Sequence, residues 1–197
     1  MELTYLIYFD FETDSIQDDS QQIQLAAIAV CDQTGQEVDF FEQKIKFDAS
    51  KSDPTALEVN HYSALAWAKA EPEARACSLF TQWSKPYLSI EMTSKAKGTK
   101  YKVGKLAGHN ASVFDLPRLR RMYGDGFFPF AYQVRDTLQR ALWYFDENPE
   151  LVRPASLKLS VLAEYFGISS DGAHDALADV RLSAGVARAI RKAEGKL

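Results

Sequence analysis

Cysteine is nearly absent from this sequence: among 197 residues only Cys31 and Cys77 carry a thiol. Two thiols make no disulfide framework, and no second ligand type clusters beside them to suggest zinc, so a reducing cytoplasm is the expected compartment. Long apolar runs are missing too. The longest, residues 25–31, falls far short of the roughly 18 residues that span a bilayer. The first residues bring Glu2 and soon Asp10, with no basic segment or apolar stretch of a secretory signal. Low complexity, internal repeats and Pro/Gly-rich linkers are also lacking. With 46% hydrophobic and 25% charged residues, the chain reads as an ordinary globule rather than a disordered, collagenous or coiled-coil protein. Its length fits one domain over 1–197.

Positive charge is in deficit overall, at a net −4, but the deficit is local. Residues 1–58 hold thirteen acids against three bases, a balance of −10, which leaves +6 on the remainder. A segregated balance of this kind does not exclude a nucleic-acid partner.

β-Branched and aromatic residues predict a first strand over 3–9 and a second, largely buried, over 22–31. The turn signal at 33–36 leads to a third over 38–47, completing a meander. Asp53-Pro54 and Glu71-Pro72 read as helix starts. Residues 93–104 mix Ser, Thr and Gly with Lys95, Lys97, Lys100 and Lys102, and Lys105 follows, so this stretch reads as a Lys-rich loop. Short strands are expected at 105–108 and 132–135, and helices at 116–123, 136–145, 156–166 and 176–192. The expected class is α/β.

Three acidic clusters carry the chemistry. Asp10 and Glu12 end the first strand, and residues two apart in an extended chain project to one side. Two such carboxylates repel unless a cation lies between them; the alternative is a polar strand end in solvent. The second cluster, Gly108-His109-Asn110-Ala111-Ser112-Val113-Phe114-Asp115, runs from a strand into a helix, where Asp115 is favoured by the helix dipole but is equally a plain helix start. In the third, His174-Asp175-Ala176-Leu177-Ala178-Asp179, one regular helix would put His174 and Asp179 on different faces. His174 therefore belongs at the helix entry and Asp179 inside the helix. The plain alternative has Asp175 as a cap, with Asp179 solvated and His174 on the surface.

Taken together and in this order, Asp-x-Glu, His-Asn…Phe-Asp and His-x-Ala-x-x-Asp resemble the motifs of the DEDDh (DnaQ-like) 3′-to-5′ exonucleases. Three residues between Asn110 and Phe114, the continuation Phe-Asp-Leu-Pro-Arg-Leu, and Asp136-Thr137-Leu138 are most similar to the three-prime repair exonucleases and the exodeoxyribonuclease I catalytic module. The resemblance implies an RNase H-like fold: a mixed five-stranded sheet, with strands 1–3 as an antiparallel meander plus parallel strands, flanked by helices. It implies two divalent cations, Mg²⁺ or Mn²⁺, on Asp10, Glu12, Asp115 and Asp179, with His174 as general base. Oxygen-only ligation suits those hard ions.

The implied partner is the 3′ end of a nucleic acid, single-stranded or frayed DNA ahead of RNA. Oligomeric state is left open, although some relatives dimerise. Two other readings stand beside this one: an exoribonuclease of the same family, and a catalytically silent binding module, against which the intact acidic set argues. Candidate substrate contacts are Thr13, Ile16, His61, His109, Asn110, Lys95, Lys97, Lys100 and Lys102. Ile16 stands where relatives wedge the terminal bases, the alternative being an isoleucine buried in a turn. His61 stands where relatives often carry His-Gly, but Tyr62 replaces the glycine, and a packed or surface histidine is the alternative. The lysines either track a phosphate backbone or are simply solvated.

Overall fold

Five strands form the central sheet in the order β3 (Glu37–Lys44), β2 (Gln22–Cys31), β1 (Tyr5–Thr13), β6 (Lys105–Gly108) and β7 (Arg135–Asp136), and a separate hairpin pairs β4 (Ile90–Thr93) with β5 (Lys100–Val103). The computed structural model describes residues 2–17, 19–170 and 175–197. β1 (Tyr5–Thr13), β2 (Gln22–Cys31) and β3 (Glu37–Lys44) make the antiparallel meander. β6 (Lys105–Gly108) and β7 (Arg135–Asp136) add in parallel on the other side of β1. This is the expected mixed sheet.

β2 is buried along its whole length because both sheet faces are covered. On one face Ile7, Phe9 and Phe11 pack with Leu25 and Ala27 against Phe80 of α2 (Glu73–Ser84) and Leu119 of α3 (Asp115–Tyr123). On the other, Leu6 and Tyr8 pack with Ala26 and Ile28 against Leu177, Val180 and Ala187 of α6 (Ala176–Ala193). Each fully buried large side chain contributes about 1.5–3 kcal/mol, so the alternation along β1 secures its register and hence the side to which Asp10 and Glu12 point. α4 (Thr137–Glu147) and α5 (Leu159–Tyr165) close over the remaining face of α6 through Phe145, Leu162, Val186 and Ile190. The short α1 (Pro54–Val59) starts as expected, with the Asp53 carboxylate accepting from Thr55 N–H at 2.8 Å.

Two expectations are corrected. The Lys-rich stretch is not a loop: β4 (Ile90–Thr93) and β5 (Lys100–Val103) pair through it, and only the turn at 94–99 is irregular. Lys100 and Lys102 alternate with Tyr101 and Val103, which line an apolar groove with Ile90 and Met92; the high lysine content hid a strand of period two. The strand expected over 132–135 shrinks to Arg135–Asp136, because Asp136 turns at once into the cap of α4 and accepts from Leu138 N–H at 3.0 Å. Among the described residues no helix is long and apolar enough to cross a membrane.

Candidate active site

β1 outruns its parallel neighbour. Pairing with β6 ends at Tyr8–Ala107, whereas pairing with β2 continues to Thr13. Beyond Tyr8 one edge of β1 is therefore open, and the face that was apolar at Leu6 and Tyr8 becomes acidic at Asp10 and Glu12. The first turn of α6 lies over that end of the strand. Asp175 caps this helix, accepting from Leu177 N–H at 3.1 Å. Oxygens of Asp10, Glu12 and Asp179 come within 4.8 Å of one another, all three residues half-buried.

The fourth carboxylate enters from the open edge. Asp115, 6% exposed, accepts the Phe11 N–H at 3.1 Å, in the place a further strand would have taken. Gly108 makes the approach of this segment possible: a Cβ there would meet Ala111 Cβ at 2.7 Å and the Phe9 carbonyl at 3.0 Å. Asn110 then turns through a left-handed φ of 56°. Its N–H donates to Asp136 at 2.9 Å, and the hydroxyl of Ser112 donates to the same carboxylate at 2.7 Å.

Electrostatics make this cluster costly without a cation. Burial, then the charges of Asp115, Glu12 and Asp179, hold the Asp10 carboxyl well above the ordinary carboxylate range. Burial and then Asp179, Asp175 and Asp115 push Glu12 up to about 7. Burial pushes Asp115 to about 7, partly offset by the Phe11 N–H and the Arg118 guanidinium. A convergent, half-buried, oxygen-only donor set fits a hard divalent cation.

A cleft of about 350 Å³ adjoins the acids, lined by Asp10, Thr13, Ile16, His109, Phe114 and Arg118 among others. The alternative of a buried Ile16 is excluded: it is 88% exposed at the rim of this cleft. A register shift between Glu12 and Thr13 bends the strand as it enters the Thr13–Ile16 turn. Asn60 Nδ2 holds the Thr13 carbonyl at 2.9 Å, and the Asp14 carboxylate takes the Gln21 N–H at 2.8 Å and the Ser52 hydroxyl at 3.0 Å. His109 and Asn110 also line the cleft, and burial holds the His109 imidazole below its ordinary range.

Other candidates are not brought together here. His61 is exposed in a left-handed conformation, φ 51°, and does not line the cleft. Lys95 and Lys97 are exposed on the hairpin turn. Lys100 pairs with Glu91 at 2.8 Å and Lys102 with Glu2 at 3.2 Å. None of the four lines the cleft. His174 lies outside the described residues.

Arg118 was not anticipated. Only 8% exposed, it donates to the Phe114 carbonyl at 2.9 Å and the Ser20 hydroxyl at 3.1 Å, tying α3 to the loop after Ile16. Its spacing of three from Asp115 was the only signal, since a buried arginine is indistinguishable in sequence from a solvated one.

Fold comparison places the architecture first. Exonuclease I from Methylocaldum szegediense superposes with a TM-score of 0.76 at 22% identity over 98% of this chain. The zinc-ion-bound E. coli exonuclease I–ssDNA complex gives 0.75 at 21% identity over 99%, and the E. coli enzyme with a dT13 oligonucleotide gives 0.74 at 20% over 98%. The chain covers only 41–42% of those proteins. A mixed sheet of this order with flanking helices is an RNase H-like fold. Residues 7–187 match the exonuclease (RNase T) family model, and the chain belongs to that family. A search of the curated proteins finds no sequence match.

Proposed function

We propose that this chain is a metal-dependent DEDDh 3′-to-5′ exonuclease that removes nucleoside 5′-monophosphates from single-stranded or frayed DNA. The observation that carries the reading is the convergence of Asp10, Glu12 and Asp179 within 4.8 Å, with Asp115 held against the same strand by Phe11. The exonuclease I structures with ssDNA and dT13 support DNA as the substrate.

Asp10, Glu12, Asp115 and Asp179 would hold two Mg²⁺ or Mn²⁺ ions. When bound, such ions neutralise the phosphodiester and lower the pKa of water toward neutrality. Asp115 orients its carboxylate through the Phe11 N–H, so one strand positions acids on both of its sides. His174, the residue before the Asp175 cap in the sequence, would accept the proton of the attacking water, since the ordinary pKa of histidine lies near the working pH. Ile16, 88% exposed, and Phe114, 51% exposed, offer apolar surface at the cleft for the terminal bases. The anchored Thr13 backbone meets the 3′-hydroxyl.

Matched DNA and RNA oligomers, labelled at the 3′ or the 5′ end, test this with Mg²⁺ present. Mononucleotide release from 3′-labelled DNA, faster than from RNA, is the expected outcome. Internal fragments alone overturn the exonuclease reading, and faster release from RNA overturns the substrate assignment. His174→Ala should remove most turnover while Mg²⁺ binding persists.

A further inference from the structure

A second polar cavity, about 370 Å³, opens between β1, the start of α4 and the C-terminal half of α6. It shares no lining residue with the acidic cleft. Arg135, Arg140, Arg191 and Lys196 line it against only Asp32 and Asp136, and Leu6, Ala187 and the Tyr8 ring supply an apolar floor.

The acids here are already engaged. Asp136 accepts from Asn110, Ser112 and Leu138. Asp32 is held by Lys105 at 3.1 Å and Arg191 at 3.6 Å. Glu194 meets Arg140 and, at 3.4 Å, Lys196. Arg135 forms no ion pair among the described residues. Adding Lys105 and Glu194 to the lining leaves the balance at +2, so the cations exceed what the fold neutralises.

Two polar groups in this cavity point to an occupant. Tyr8 is 6% exposed, and its hydroxyl has no hydrogen-bond partner among the described residues, although it stands in a core strand where phenylalanine would pack equally well. The Arg140 Nε–H is buried without an acceptor, whereas the Tyr8 hydroxyl is open to the cavity. A donor left without a partner favours a ligand that brings an acceptor to it. Several donors, excess positive charge and an adjoining apolar floor are together the recognition chemistry of a nucleotide: guanidinium forks for the phosphate, apolar surface for sugar and base.

We propose that this cavity binds a free nucleoside monophosphate through its phosphate, at a site separate from the acidic cleft. The phosphate accepts from Tyr8, Arg135 and Arg140, and the nucleoside lies on Leu6 and Ala187.

Titration of the full chain with dTMP in EDTA, followed by calorimetry, tests the assignment. Without metal the acidic cleft repels phosphate, so binding there does not contribute. The expected result is saturable dTMP binding, tighter than that of inorganic phosphate. Tyr8→Phe and Arg135→Gln should each weaken it about tenfold, the scale of one charge-assisted hydrogen bond. Arg135 is exposed and Tyr8→Phe keeps the packing volume, so both variants should melt as the parent does. No binding at millimolar dTMP, inorganic phosphate binding as tightly as dTMP, or binding unchanged in both variants would overturn the proposal. A 5′-phosphorylated oligonucleotide that binds where dTMP does not would overturn it in favour of a DNA-end site.

Discussion

Phe11 donates its backbone N–H to the carboxylate of Asp115, 104 positions away, at 3.1 Å. The bond satisfies a strand edge left open where β6 stops, and it places a fourth acid beside Asp10. Structure and chemistry are thus coupled through one carboxylate, and two substitutions separate them.

Asp115→Asn keeps an oxygen that can accept the Phe11 N–H while removing the charge. Its melting temperature without metal should equal or exceed that of the parent, since a buried carboxylate has been neutralised. Mg²⁺-dependent turnover should fall at least about a hundredfold. Asp115→Ala should lose turnover and, by orphaning the N–H, about 1–3 kcal/mol of stability as well. Denaturant titrations beside steady-state assays check both.

The carboxylate cluster predicts how metal-free stability varies with pH. Glu12 and Asp115 are raised to about 7 in the folded state, above the roughly 4 of an unfolded carboxyl. The folded protein therefore holds protons that the unfolded chain releases. The resulting stabilisation is complete below the unfolded value and is lost as pH rises through about 7. In EDTA the melting temperature should fall between pH 5.5 and 8. Saturating Mg²⁺ should flatten the slope by binding the ionised form. A slope that is identical with and without Mg²⁺ contradicts the arrangement.

Ile16→Ala should leave stability within about 0.5 kcal/mol of the parent, because the side chain is 88% exposed. It should raise the KM for DNA oligomers and slow attack on frayed duplex ends more than on single strands. Thermal melts and matched substrates distinguish this from a folding defect.

Gly108→Ala should cost about 1–3 kcal/mol by overpacking. The added methyl meets both Ala111 and the Phe9 carbonyl, so the turn carrying His109 and Asn110 must shift. Turnover should fall along with stability, measured by chemical denaturation and oligomer assays.

Local patterns were legible and tertiary dependencies were not. The boundaries of β2 and the shared side of Asp10 and Glu12 follow from strand periodicity, and the start of α1 from Asp53-Pro54. The loop read over 93–104 contains the 94–99 turn, but β5 was concealed by lysines that alternate with packed residues. Whether Ile16 was buried depended on Asp14 and Asn60, whose partners Gln21, Ser52 and Thr13 no spacing rule connects. Arg118 and Asp136 act through contacts made only after folding: one reaches across to Ser20, the other back to Asn110. The motif that put Asp179 in a helix could not reveal its approach to Asp10, which requires α6 to lie over the end of β1.

The central claim is that the carboxylate cluster performs metal-dependent removal of nucleotides from a 3′ end. A time course on 5′-labelled single-stranded DNA, comparing the parent chain with Asp10→Asn in Mg²⁺ and in EDTA, tests it most directly. The expected result is a ladder that shortens one nucleotide at a time with the parent in Mg²⁺, and intact substrate in the other reactions. Shortening that persists in EDTA or in Asp10→Asn, or short internal cuts as the first products, would contradict it.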